Sequence, residues 1–140
     1  VENEGIYGFS SIAKHQADSV TITARGTLGI AFVRTTGFVG IGRLIVATNF
    51  NEVDPRFLKE CWNHLAVVPQ EVTSIPQLTA VAARATLLPF PMHREQQRIA
   101  SCLSSLDALI TAEIHKLEAL KTQKRGLMQQ LFPTSNEVEA

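Results

Sequence analysis

The chain has 140 residues, 45% of them apolar, with 13 Lys+Arg against 13 Asp+Glu. That length admits one compact domain, or a small domain with an extension, and the zero formal charge gives no bulk signal for a nucleic-acid partner, leaving only a local basic surface open. No run of about 18 apolar residues offers a membrane span, and Val1 opens nothing like a signal peptide.

The missing initiator Met points to a fragment or a processed chain. Cys61 and Cys102 have no metal-ligand spacing and suit a reducing cytoplasm, the expected location. Both fall on apolar faces, so buried free thiols are expected.

The first strand signal is Val20 to Ala24, where Val20, Ile22 and Ala24 alternate with Thr21 and Thr23, the period of a half-buried strand. Gly26 to Gly29 supply a turn, Ile30 to Arg34 a second strand and Thr35 to Gly37 a second turn. Phe38 to Ile41 and Arg43 to Thr48 continue the pattern, with Gly40 and Gly42 permitting a bend. The expectation is an antiparallel meander closed by glycine turns.

At Asp54 the period changes. Asp54 is a good N-cap and Pro55 an ideal first helical residue, and Phe57, Leu58, Cys61, Trp62 and Leu65 make one apolar face at helical spacing. Cys61 and Trp62 therefore read as core. His64 ends this helix, where a cation is favoured on structural grounds alone. Thr79 caps a short helix, Thr86 to Leu88 is a brief extended run, and Pro89 and Pro91 stiffen the exit.

From about residue 93 to 131 the chain reads as one uninterrupted helix. Alternating steps of four and three pick out Ile99, Leu103, Leu106, Ile110, Glu113, Leu117, Leu120, Lys124, Leu127 and Leu131, a heptad seam in which only Glu113 and Lys124 are polar. At 1.5 Å per residue such a helix is roughly 55–60 Å long, more than a domain of this size is wide. Its stripe needs a second long helix, from another copy or another protein. In an antiparallel pair Glu113 and Lys124 face each other across the seam, with the crossing near residues 118 and 119; otherwise both snorkel to solvent. Phe132-Pro133 stops the helix, and residues 133–140 are a polar tail.

Together these features give an α+β fold: a small strand-rich domain over residues 1–91, one long coiled-coil-forming helix over 92–132, and the tail.

Three stretches also carry a family resemblance. "ITARGTLGIAFV" (Ile22 to Val33), "IPQLT" (Ile75 to Thr79) and "PFPMHREQQRI" (Pro89 to Ile99) resemble, in order, the Ile-Thr-x-Arg-Gly-Thr-x-Gly strand-turn-strand, the Pro-Gln-Leu-Thr step and the Pro-rich exit with a Glu-Gln-Gln-Arg-Ile helix start. These belong to specificity subunits of type I restriction-modification enzymes. The resemblance implies a non-catalytic subunit that reads double-stranded DNA. Its long helices pair antiparallel as a spacer between two recognition domains and dock the methyltransferase (modification) subunits, which work with a restriction subunit. The chain resembles a half-subunit or carboxy-terminal piece, with a shorter segment before the Ile-Thr-x-Arg-Gly strand than the family has. Part of the DNA-reading surface is therefore expected to be absent. As an isolated chain it is expected to form a homodimer through the helix, with no membrane partner.

The DNA-binding candidates are Lys14, Arg25, Thr27, Arg34 and Arg43. Arg25 and Thr27 sit on the glycine-rich turn, where backbone amides and a guanidinium reach phosphate or a base edge. The structural alternative for Arg25 is local capping or pairing with Asp18. On the helix, the charges Arg94, Arg98, Lys116, Lys121, Lys124 and Arg125 outnumber Glu95, Asp107, Glu113 and Glu118. Such a mixed run is ordinarily a solvated face; the resemblance makes part of it a protein interface.

No phosphate-binding loop, metal-ligand motif or nucleophile elbow is present, so no catalytic residue, metal or cofactor is expected. Cys61 and His64 are spaced to share a face that the core needs. The competing reading is a pure oligomerisation module: a coiled coil decorated by a small domain, with DNA irrelevant.

Overall fold

The structure, a computed structural model, describes residues 5–48, 50–67 and 76–132. Ile75 of the second motif, Pro133 and the polar tail 133–140 lie outside the described residues. Three strands, β1 (Ser19–Thr23), β2 (Ala31–Arg34) and β3 (Leu44–Ala47), are followed by helices α1 (Pro55–Leu65), α2 (Ala80–Ala85) and α3 (His93–Leu131). This is the expected α+β order. The chain divides into two compact units, Val1–Ala100 and Ser101–Ala140, so the division falls within α3.

The sheet is antiparallel but not a meander: its order is β2-β1-β3, with β1 in the middle. Ser19 pairs with Arg34 and Ile22 with Ala31 on one side, Val20 with Ala47 and Thr23 with Leu44 on the other. The outer edge of β2 is already occupied. Asn63 on α1 accepts from the Ala31 N–H (2.7 Å) and donates to the Ala31 C=O (3.0 Å), filling at Ala31 the position where a fourth strand would pair.

Central placement also corrects the half-buried expectation for β1. Val20, Ile22 and Ala24 join Ala31, Trp62 and Leu78 in the core, but Ser19 and Thr21 on the opposite face are buried as well. Arg34 covers that face. Its guanidinium lies 5.2 Å from the Phe32 ring centroid, and its Nε donates to the Thr21 hydroxyl (3.0 Å). Thr21 and Arg34 both find partners there, so the burial leaves neither unsatisfied.

Phe38 to Ile41 forms no strand. Only an isolated bridge joins Phe38 to His15, whose rings stack at 5.0 Å. Thr86 to Leu88 joins no sheet, and the chain leaves α2 in extended backbone at Thr86.

Helix α1 starts as its sequence dictates. The Asp54 carboxylate accepts from the backbone N–H of Arg56 (2.9 Å) and Phe57 (3.2 Å), and Pro55 takes the first turn. Phe57, Cys61 and Trp62 are buried, whereas Leu65, at the last position of the helix, is exposed. The Thr79 hydroxyl caps α2 by accepting from the Ala82 N–H (3.2 Å).

Helix α3 runs unbroken for 39 residues, roughly 58 Å at the helical rise. Of its residues only Gln96 and Ala100 are buried, Ala100 against Phe57 and Cys61. Among the described residues no helix is long and apolar enough to cross a membrane.

Candidate nucleic-acid interface

The turn after β1 is built around Thr23. Its backbone N–H donates to the Ile30 C=O (3.0 Å) and its C=O accepts from the Gly29 N–H (2.8 Å). Its hydroxyl accepts from the Ile30 N–H (2.9 Å) and donates to the Thr27 C=O. Gly26 and Gly29 take φ of 72° and 74°, the left-handed region where a side chain is disfavoured. From below, the Trp62 indole N–H donates to the Gly29 C=O (2.8 Å). A turn fixed at so many points presents its tip, Arg25, Gly26 and Thr27, to solvent.

Two more segments close on this turn through Ala24. The Ala24 N–H donates to the Arg43 C=O (3.1 Å), and the Ala24 C=O accepts from the Leu78 N–H (3.1 Å). Beside them Arg43 Nη1 donates to Gln77 Oε1 (2.9 Å). The first two motifs of the family resemblance, distant in sequence, thus meet at one end of the sheet. That end gathers Arg25, Thr27 and Arg43, and adds Gln77.

The other two DNA candidates lie elsewhere. Arg34 pairs with Ser19 at the far end of β1, about 13 Å from Thr23 at the strand rise, and it is held against Thr21 and Phe32. Lys14 lies beyond that end, its backbone N–H donating to the Phe38 C=O (2.9 Å). Asp18, the acid considered for Arg25, immediately precedes β1 and so is at the wrong end for it; among the described residues no ion pair involves Arg25.

Every seam residue of α3 is exposed: Ile99 and Leu103 at 36%, Leu106, Ile110, Leu117, Leu120 and Leu127 at 50–58%, and Leu131 at 70%. Leu109, Ile114 and Met128 flank the seam and are exposed too. Of the polar seam positions, Glu113 makes an ion pair with Lys116 on its own helix (3.6 Å). Cys102, expected to be buried, is exposed, because it falls past Ala100 where α3 has no covered face; Cys61 is buried, and burial pushes its thiol pKa up. Buried and with its pKa raised, Cys61 is not set up as a nucleophile.

Sequence reading passed over Gln96. Its side-chain oxygen accepts from the Asp54 N–H (2.9 Å), and its amide donates to the carbonyls of Pro91 (2.8 Å) and Glu52 (3.1 Å). Its signal was present, a polar residue inside a recognised motif, but nothing local distinguishes it from Gln97. Among the described residues no three His, Cys, Asp or Glu side chains come together as a metal site.

The family model described as the type I restriction modification DNA specificity domain matches residues 2–122. The "Putative type I restriction enzyme MjaX specificity subunit" of Methanocaldococcus jannaschii is 25% identical over 99 residues, covering 66% of this chain and 23% of that protein. The chain thus corresponds to about a quarter of that relative. No solved structure gives a significant match. With the family model spanning most of the sequence, the chain belongs to the type I restriction modification DNA specificity domain family.

Proposed function

We propose that the chain is a non-catalytic, DNA-reading piece of a type I restriction-modification complex. Residues 1–91 form the recognition domain and 92–132 the spacer helix. The observation that carries this reading is that Arg25 and Thr27 on the braced turn, and Arg43 on the segment bonded to it through Ala24, are exposed at one end of the sheet, within a chain of this family. Donors held on a firm scaffold suit groove or phosphate contact, since ordering them beforehand lowers the entropy lost on binding.

The exposed stripe of α3 serves as the spacer seam, pairing with a second long helix and offering its flanks to the modification subunits. In the isolated chain the second helix comes from another copy, giving an antiparallel homodimer with a recognition domain at each end. The restriction subunit joins the complex in turn, and chemistry resides in the partner chains.

Fluorescence anisotropy with labelled duplex DNA, with and without the modification subunit, tests the assignment. Salt-dependent binding that is stronger for some duplex sequences than others is expected. Binding in neither condition, alongside a stable dimer, would leave an oligomerisation module.

A further inference from the structure

Which base edge this end of the sheet can accept is set by the Arg43–Gln77 pair. Arginine has five N–H donors and no acceptor. The Gln77 atom that faces it at 2.9 Å must therefore be the amide oxygen, which directs the NH2 group elsewhere. Arg43 is exposed and keeps four N–H groups free of that bond. Gln77 adds two more, and Arg25 on the adjoining turn contributes its own.

The pair therefore presents donors almost exclusively. Glutamine reads adenine by accepting from N6 while donating to N7. Here one lone pair of its oxygen is engaged by a guanidinium, and Arg43 itself offers only N–H groups, so an incoming N6 or N4 amino group would meet it donor against donor. Guanine shows two acceptors in the major groove, N7 and O6, and no donor on that edge. Phosphate also offers only acceptors and can take an arginine fork, but it carries no sequence information. Arg43 is anchored at its backbone by Ala24 and at its head by Gln77, and that fixed fork fits the two-acceptor edge of guanine.

We infer that Arg43, oriented by Gln77 as a positioning residue, reads a guanine in the recognised DNA. This rests on the DNA-binding reading above, and the following experiment separates the two. Selection from a randomised duplex library is run with the unmodified chain, Arg43→Ala, Gln77→Leu and Gln77→Glu, each checked by thermal melting. The unmodified chain should enrich a sequence containing guanine at one position. Arg43→Ala and Gln77→Leu should lose the preference at that position alone, by roughly fivefold to a hundredfold, with melting unchanged because the pair is at the surface. Gln77→Glu keeps an acceptor oxygen and should retain the guanine preference at lower overall affinity. Replacing that guanine with 7-deazaguanine, which lacks the N7 acceptor, should weaken the unmodified chain and leave Arg43→Ala indifferent.

The same enriched sequence from all four proteins would overturn the inference while leaving DNA reading intact. So would an Arg43→Ala loss that is equal for every sequence and flattens the salt dependence, the mark of phosphate contact. Retention of no duplex by the unmodified chain would remove the DNA reading itself, and this inference with it.

Discussion

The side-chain oxygen of Gln96 accepts the backbone N–H of Asp54 at 2.9 Å, tying the first turns of α3 to the residue that caps α1. Both residues are buried, and the Gln96 amide meets two further carbonyls, so every polar atom of the joint is satisfied. Gln96→Leu would strand the buried Asp54 N–H. Leaving a buried polar group unpaired costs about 1–3 kcal/mol, and a loss of stability in that range is expected from urea unfolding. An unchanged midpoint would show that water replaces the amide at no cost.

Asp54 itself responds to acid. Burial pushes its carboxyl pKa up, but hydrogen bonds from the Arg56 guanidinium and from the N–H groups of Phe57 and Arg56 outweigh burial and hold it below its ordinary 3.8. A carboxyl depressed in the folded state stabilises fully above its unfolded pKa, and that contribution fades as pH falls through the folded value. Asp54→Ala should cost about 1–2 kcal/mol near neutral pH through loss of the cap. Asp54→Asn retains a cap without the charge. Its deficit against the unmodified chain should be constant above about pH 5 and shrink from about pH 4 downward. A deficit that grows in acid would reverse the assignment.

Arg25 stands at the exposed tip with no ion pair among the described residues. Arg25→Ala should weaken binding to duplex DNA by about 1–3 kcal/mol if the side chain reads a base, or flatten the salt slope by about one unit if it meets only phosphate. Titrations at low and moderate salt decide between them. Equal affinity in both would return Arg25 to a structural role.

The α3 stripe predicts self-association. Burying one leucine is worth roughly 1.5–3 kcal/mol, and eight seam residues are exposed in the single chain. Analytical ultracentrifugation of the unmodified chain at micromolar concentration should show a dimer. Leu117→Asp combined with Leu120→Asp would place charge at the centre of the seam and should yield monomers or aggregates. A well-behaved monomer of the unmodified chain would dispose of the helix-pair proposal.

Some of this architecture is legible in short stretches of sequence. Asp54-Pro55 announces α1, Thr79 announces α2, and the steps of three and four from Ile99 to Leu131 announce a helix without a break. Caps and helical periodicity act over three or four residues, so their signals are local. The glycine turn at Gly26 and Gly29 is legible for the same reason: positive φ is a property of single residues. Strand order was not legible in this way. Alternation in Val20 to Ala24 marks a strand but cannot say which neighbours it takes, nor that Arg34 will lie over Thr21 and bury the second face.

The tip and the α1–α3 joint belong to that second class. Arg43 meets Gln77 across 34 residues, and Asp54 meets Gln96 across 42. A hydrogen bond across such a separation imposes no periodicity on the chain between its ends, and Gln77 and Gln96 look like any exposed glutamine in their local context. Their partners exist only once β1 sits between β2 and β3 and α1 packs beneath the turn. The sequence alone thus determined the helices, their caps and the apolar stripe of α3, because those depend on near neighbours. Tertiary packing decided which donors share the tip and which glutamine fastens α3, because each depends on groups that only the folded chain brings within 3 Å or so of one another.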